Sequence, residues 1–122
     1  MTGDDFNAFC GSLPAATHSV QWGGSDVWKV GGKVFAICGW GTGEAAFTFK
    51  VSDIAYEVLT GMEGLRPAPY LASRGFKWVQ HHAAPGLSDD ELKRHIRASY
   101  EMIRDALSRA RRAELGLTGP DQ

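Results

Sequence analysis

Apolar and polar residues alternate with period two over residues 46–51, and pairs of glycines separate three short segments that precede them. The alternation predicts a strand, because successive side chains of a strand point to opposite faces. Glycine pairs favour two-residue turns with positive φ, so the first three strands are predicted to form an antiparallel meander. The four predicted strands span residues 18–22, 26–30, 33–38 and 46–51.

Three other segments have apolar residues at helical spacing. A short first helix is predicted to begin with Asp4 or Asp5 as its cap, and a second is predicted to begin at Ser52. In the third segment, Ser88 and Glu91 have the spacing of a capping box, and an apolar stripe continues from there to about residue 112.

One further strand is predicted over residues 76–81, whereas the prolines within residues 66–69 exclude a helix there. The order of elements is then α-β-β-β-β-α-β-α, without a repeat or a domain linker. This order predicts one α+β domain over residues 1–122. We expect the N- and C-terminal helices to cover one face of a twisted, mainly antiparallel sheet of about five strands. Residues 113–122 are expected to fray as a tail.

The turn between the second and third strands determines which way the neighbouring side chains point. A two-residue turn at Gly31-Gly32 places Lys29 and Lys33 on opposite faces of the hairpin, which keeps like charges apart. Strict alternation along both strands then leaves Trp28 and Phe35 on the face with less helical cover.

Composition narrows the class of protein. With 122 residues, 43% hydrophobic and 22% charged, the chain is an ordinary soluble domain, and its net charge of −1 argues against nucleic-acid binding driven by charge alone. No apolar run is long enough for a membrane span, and the acidic N-terminus gives no sign of a signal peptide. Cys10 and Cys38 lack CxxC spacing, so we interpret them as two reduced thiols in a cytoplasmic protein.

Three sequence features together resemble one known family. They are the hairpin VWKVGGKVFAI at residues 27–37, the segment RPAPYLASRGFKWVQ at residues 66–80, and the pair Ser99-Tyr100 on a long capped helix. Their order over residues 6–107 resembles the MmcQ/YjbR-like family of small bacterial proteins. The resemblance implies a frataxin-like topology and a non-enzymatic, DNA-binding function, attributed in that family to a double-wing arrangement of β-hairpins.

The first candidate surface for DNA joins the hairpin tip to the basic side of the last helix. Lys29 and Lys33 flank the tip, and helical geometry places the helix cations on one side. These helix cations are Lys93, Arg97, Arg104 and Arg111. The alternative is a solvated helix face on which Glu101 and Asp105 form local ion pairs with these cations.

The second candidate surface is the proline-rich segment. Its cations and aromatic rings suit phosphate binding and stacking, although the aromatic side chains would also serve to fill the core. The residues are Arg66, Tyr70, Arg74, Lys77 and Trp78. Because fields decay over about 8 Å in physiological salt, a nucleic-acid site requires the three cations to share one surface with the hairpin tip or the last helix.

A second class of function remains open, in which an aromatic surface binds a small ligand or a partner protein. Four tryptophans are more than a core of this size needs, so some are expected to line an exposed patch. The residues predicted for this alternative are Trp28, Trp40, Tyr70 and Trp78.

Catalysis and metal binding are not expected. His81 and His82 are adjacent on a predicted strand and therefore point to opposite faces, and the acidic residues of the first helix are too few for iron delivery. No base is indicated beside Ser99, and the loop GWGTGE at residues 39–44 lacks the ending of a phosphate loop. We therefore expect no cofactor and a monomeric protein.

Overall fold

The computed structural model describes residues 1–39, 46–69 and 77–117. Within these ranges the chain forms four helices and six strands. The helices are α1 (Gly3–Gly11), α2 (Asp53–Leu59), α3 (Asp89–Ala106) and α4 (Arg109–Glu114). The strands are β1 (Ala16–Gln21), β2 (Ser25–Val30), β3 (Lys33–Cys38), β4 (Phe47–Lys50), β5 (Leu65–Pro67) and β6 (Trp78–His81).

The strands form one antiparallel sheet in the order β1-β2-β3-β4-β6-β5. The predicted α+β class is therefore confirmed, with six strands instead of about five. The additional strand is β5, in which Arg66 pairs with Gln80 of β6. Pro67 is tolerated there because β5 lies at a sheet edge, where a missing N–H breaks no ladder. The opposite edge is β1, where Val20 is 61% exposed.

Helices α1 and α3 cover the same face of the sheet, as predicted. Their buried side chains and the apolar residues of the central strands form one core. The helix residues in this core are Phe6, Cys10, Leu92, Ile96 and Tyr100. The strand residues that they cover are Trp28, Val30, Ala36, Phe47, Phe49 and Val79.

A β-bulge changes the direction of the side chains in the central hairpin. The register shifts between Trp28 and Lys29, and Trp28 pairs with Ala36, which leaves Phe35 as the extra residue. Trp28 points to the helices, where its indole N–H donates a 2.9 Å hydrogen bond to Asn7 of α1. The prediction that Trp28 and Phe35 lie on the less covered face was wrong: the two residues share one face of the hairpin, but the helices cover that face, and the bulge brings Ala36 to it as well.

The other face of the sheet carries a row of aligned residues across five strands. The register places Val27, Ile37, Thr48, Gln80 and Arg66 side by side. Arg66 donates hydrogen bonds of 2.9 Å and 2.6 Å to Gln80 Oε1, and Gln80 Nε2 donates one of 3.2 Å to Thr48 Oγ1. Gln80 and Thr48 are fully buried, so this chain of bonds satisfies polar groups that would otherwise cost free energy.

The structure confirms two of the three helix caps that the sequence predicts. Ser52 and Ser88 cap α2 and α3 as predicted. At α1 the cap is Thr2, whose hydroxyl accepts a 3.0 Å hydrogen bond from the Asp5 N–H. The prediction of Asp4 or Asp5 was wrong, because the cap residue acts on the amide three positions later and Asp5 therefore occupies the third helical position.

Helix α3 ends earlier than predicted, at Ala106. Leu107 is extended, and the Ser108 hydroxyl accepts a hydrogen bond from the Arg111 N–H to begin α4. Leu117 is buried against the core, so residues 113–117 do not fray as expected. Apolar burial at this one leucine fixes the segment. Residues 118–122 lie outside the described residues.

Candidate nucleic-acid interface

The β2–β3 hairpin has the turn that its glycines predict. Gly31 and Gly32 have φ angles of 60° and 81°, a region that favours glycine. Val30 then pairs with Lys33, and Lys29 pairs with the residue after it. Because Val30 points into the core, Lys33 lies on the helix side of the hairpin and Lys29 on the opposite side. Lys33 is exposed, whereas Lys29 is half-buried.

Helix α3 presents its basic residues outward and the pair Ser99-Tyr100 inward. Arg97 is exposed, and the Arg104 guanidinium lies 5.7 Å from the centre of the Tyr100 ring. Tyr100 itself is buried and donates a 2.6 Å hydrogen bond to the Pro14 carbonyl. Burial raises the pKa of the Tyr100 hydroxyl, and the nearby charges of Arg104 and Arg97 partly oppose this effect. Both arginines therefore flank the same ring.

One contact brings the hairpin tip and the end of α3 together. A Cβ atom added to Gly31 would lie 2.6 Å from Leu107 Cδ1, so the turn packs directly on the residue that follows the helix. We call Lys33, Arg97 and Arg104 the hairpin–helix surface. The sequence predicts these cations as candidates, but it does not predict the contact of Leu107 with the hairpin. A contact across 76 positions leaves no local pattern.

Charge is concentrated near the hairpin–helix surface. Lys33 and residues 97–114 together carry six basic and three acidic side chains, whereas the rest of the chain carries seven basic and eleven acidic ones. A protein with a net charge of −1 thus carries its excess of basic residues in one part of the sequence. Such a local excess attracts polyanions at short range, where salt screens it least.

Two of the arginines in this region have carboxylate partners. Arg104 Nε donates a 2.9 Å hydrogen bond to Asp105, and Arg111 forms a 3.3 Å ion pair with Glu114. The bond to Asp105 raises the pKa of Arg104. Asp105 therefore competes with any phosphate for the Arg104 guanidinium, as the alternative of a solvated helix face anticipated.

The second candidate surface, the proline-rich segment, does not form one continuous surface from its described residues. Arg66 points to the face opposite the helices, where it binds Gln80. Lys77 lies on the helix side, with its ammonium 4.7 Å from the centre of the Tyr56 ring of α2. These two cations point apart, because an odd number of positions separates Lys77 from Gln80 along β6 and its extension. The condition that the three cations of this segment share one surface is therefore not met by Arg66 and Lys77, and only the first candidate surface is left to contact a phosphate backbone. Arg74 and Tyr70 lie outside the described residues.

The described residues also give little support to the alternative of an aromatic binding surface. Trp28 and Trp78 are each only 8% exposed. Trp28 is covered by α1, and Trp78 shares the opposite face of the sheet with Gln80. Trp22, at the end of β1, is 52% exposed. Trp40 lies outside the described residues, as does Tyr70.

His81 contacts the Phe47 ring, with 6.2 Å between ring centres, and burial lowers the pKa of its imidazole. Over residues 1–39, 46–69 and 77–117, no three His, Cys, Asp or Glu side chains are grouped to hold a metal ion. None of the helices in these ranges has both the length and the apolar composition to cross a membrane.

Fold and charge distribution together define a small α+β domain with an antiparallel sheet, helices on one face and a basic hairpin–helix surface. The sequence pattern of the YjbR family matches residues 11–102, and the chain belongs to this family. Protein DR2400 of Deinococcus radiodurans, a DUF419 domain, has a similar crystal structure, with a TM-score of 0.81 and 23% identity over 96% of this chain and 89% of that one. This likeness shows the fold. No protein with a curated description matches the sequence.

Proposed function

We propose that this domain is a non-enzymatic DNA-binding module that contacts the phosphate backbone through the hairpin–helix surface. The observation that supports the proposal most is the packing of Gly31 on Leu107, which sets the exposed Lys33 beside the end of α3. A hairpin and a helix end side by side present cations from two independent elements. Such an arrangement spans more than one phosphate of a duplex.

The charge balance predicts weak binding without sequence preference. Three cations that each contact one phosphate give a slope of log K against log salt of about −2.7. Affinity is therefore expected in low salt and is largely lost near physiological salt. The proposal assigns all three cations to phosphates, which fix position on a duplex and carry no sequence information.

Fluorescence anisotropy with a labelled duplex of about 20 base pairs, titrated at several salt concentrations from about 50 mM upward, tests the proposal. Lys33→Glu and Arg97→Glu should each weaken binding equally on unrelated sequences and should reduce the salt slope. Asp105→Asn should strengthen binding, because it frees the Arg104 guanidinium from its 2.9 Å partner.

Lys77→Glu is the matched control, since it makes the same charge change beside Tyr56 of α2. An equal loss of affinity for Lys77→Glu would show that net charge alone controls binding and would contradict the assignment to the hairpin–helix surface. Absence of binding at about 50 mM salt would end the proposal.

A further inference from the structure

Helix α2 exposes an apolar stripe. Ile54 is 80% exposed and Val58 is 61% exposed, and Met62, in the turn that follows the helix, is 37% exposed. These residues are four positions apart, so the helix and its last turn align them along one side. Single exposed apolar side chains are common on soluble proteins, but an aligned row of them marks an interaction surface. The proposed DNA surface uses none of these residues.

The stripe continues into a cleft of about 290 Å³ between α2 and α3. The residues of these helices that line the cleft are Ala55, His95, Ala98 and Met102. Ala55 follows Ile54 directly and lies one turn before Val58, so the stripe and the cleft share an edge. At about 30 Å³ for each non-hydrogen atom, the cleft has room for one large apolar side chain of a partner.

The chain around the stripe is acidic. Residues 51–65 contain three carboxylates and neither lysine nor arginine. The carboxylates are Asp53, Glu57 and Glu63, and all three are exposed. Glu57 precedes Val58 and lies one turn after Ile54, which places it beside the stripe on the side away from the cleft. The apolar stripe therefore has a negatively charged rim.

The cations closest to the stripe leave this rim negative. Among the ion pairs of residues 1–39, 46–69 and 77–117, none includes Asp53, Glu57 or Glu63. The Lys77 ammonium lies 4.7 Å from the centre of the Tyr56 ring. Positions 54 and 56 are about 200° apart around a helix, so Lys77 contacts a different side of α2 from the stripe. On α3, Arg94 and Glu101 lie one turn on either side of Ala98, and their charges balance.

We propose that the stripe and the cleft form a docking surface for a basic amphipathic helix of a partner protein. An apolar groove between two helices is a common seat for such a helix, whose anchors repeat at helical spacing. One anchor would enter the cleft while others lie on Ile54 and Val58. Lysine or arginine side chains of the partner would then lie beside Asp53 and Glu57, where opposite charges favour encounter and orient the complex.

The same charges disfavour two other occupants. A second copy docked stripe to stripe about a two-fold axis would bring the two Glu57 side chains together. A membrane surface is a poor match, because helices that lie on anionic lipid have lysine and arginine on their polar face. A basic helix from another protein suits both the apolar stripe and its acidic rim.

Two-dimensional NMR of the whole chain, titrated with two peptides of about 14 residues, is the direct test, since this length gives four helical turns. Both peptides have leucines at helical spacing, and the other positions are all lysine in one peptide and all glutamate in the other. The lysine peptide should shift the amides of residues 51–62 and 95–102 and should bind at least about tenfold more tightly than the glutamate peptide. Equal affinity of the two peptides would overturn the assignment of a basic partner.

Two pairs of variants test the location. Val58→Ser should weaken binding of the lysine peptide about fivefold, whereas Val20→Ser makes the same change on β1 and should leave binding unaffected. The two valines are a matched pair, because each is 61% exposed. Glu57→Lys should also weaken binding about fivefold, and Glu114→Lys is its control on α4. Full affinity in both Val58→Ser and Glu57→Lys would refute the site.

Analytical ultracentrifugation of the chain alone tests the second copy as an occupant. A dimer that Val58→Ser dissociates would assign the stripe to self-association and overturn the proposal, and so would binding to anionic vesicles that Val58→Ser abolishes. Lys33→Glu separates this proposal from the proposed function, because it should reduce DNA binding without reducing peptide binding. Failure of one proposal therefore has no consequence for the other.

Discussion

The Ser99 hydroxyl donates a 2.6 Å hydrogen bond to the Phe35 carbonyl oxygen and accepts one of 2.9 Å from the Lys50 N–H. These two backbone groups lie one position beyond Ala36 and Phe49, the last residues that pair between β3 and β4. Beyond this last pair, the Ser99 side chain of α3 links the two strands by bonding one backbone group of each. Ser99 thus has a structural role.

Replacement of Ser99 with alanine should lower the free energy of unfolding by about 2–3 kcal/mol, because it leaves a buried carbonyl and a partly buried amide without partners. Urea denaturation measures the change. Ser12→Ala is a control: this exposed hydroxyl donates to the Phe9 carbonyl at the end of α1, and its loss should cost less than about 0.5 kcal/mol. Similar losses for both variants would contradict the bridging role of Ser99.

Gly31 and Gly32 form a matched pair for testing the contact between the hairpin and α3. Both have positive φ, so alanine at either position costs about 1–2 kcal/mol in backbone strain. Only at Gly31 would the new methyl group meet Leu107, whereas at Gly32 it would meet open space. Gly31→Ala should therefore be more destabilising than Gly32→Ala by at least about 1 kcal/mol in urea denaturation.

Truncation of Leu107 provides the check on that interpretation. In a Leu107→Ala background the extra cost of Gly31→Ala should disappear, while the cost of Gly32→Ala stays the same. Additive effects at Gly31 and Leu107 would mean that the two residues do not restrain each other in solution.

Stability should fall as the pH drops below the ordinary histidine pKa of 6.5. Burial lowers the pKa of both His81 and His95 in the folded state, so the unfolded chain binds protons first and acid favours unfolding. The stabilisation from the neutral rings is complete above pH 6.5 and is lost as pH falls through their folded values. Each proton taken up on unfolding changes the free energy of unfolding by at most about 1.4 kcal/mol per pH unit.

Urea denaturation between about pH 7 and pH 5 measures this slope. His81→Leu should reduce the slope, because the replaced ring no longer takes up a proton on unfolding. Asp5 and Glu91 also have lowered pKa values, owing mainly to hydrogen bonds with the backbone amides of Thr2 and Ser88. Their effect belongs to a more acidic range, near their ordinary values of 3.8 and 4.5. An unchanged slope in a variant lacking both His81 and His95 would contradict the prediction.

Both cysteines should react slowly with thiol reagents while the protein is folded. Burial raises the pKa of Cys38 to about 11 and also raises that of Cys10, so little thiolate exists near neutral pH. A disulfide reagent should label both residues promptly in urea and only slowly in buffer. Ala8→Cys, on the exposed side of α1, should react at once in buffer and so verify the reagent.

Local rules predicted the parts of the fold that depend on neighbours in the chain. The Gly31-Gly32 turn fixed the register of Lys33 with Val30, and the capping box at Ser88 located the start of α3. Both features are determined by a few residues that are adjacent in the chain. They also predicted that Lys29 and Lys33 lie on opposite faces of the hairpin, as the structure has them.

Longer-range packing produced the errors. The register shift that leaves Phe35 as an extra residue depends on how β3 pairs with β2, and no alternation pattern in β3 reports it. Strand β5 forms because Arg66 pairs with Gln80 across the sheet, although Pro67 argues against a strand locally. The cleft beside His95 is formed with residues of α2 far along the chain, so no local pattern reports it.

The two edges of the sheet give this protein an asymmetric tendency to associate. β5 is three residues long and carries Arg66 and Pro67, which oppose the addition of a further strand. β1 is six residues long, contains neither lysine nor proline, and exposes Val20. Strand-to-strand assembly at high concentration should therefore begin at β1, and a single lysine at position 20 is the substitution expected to keep concentrated solutions clear.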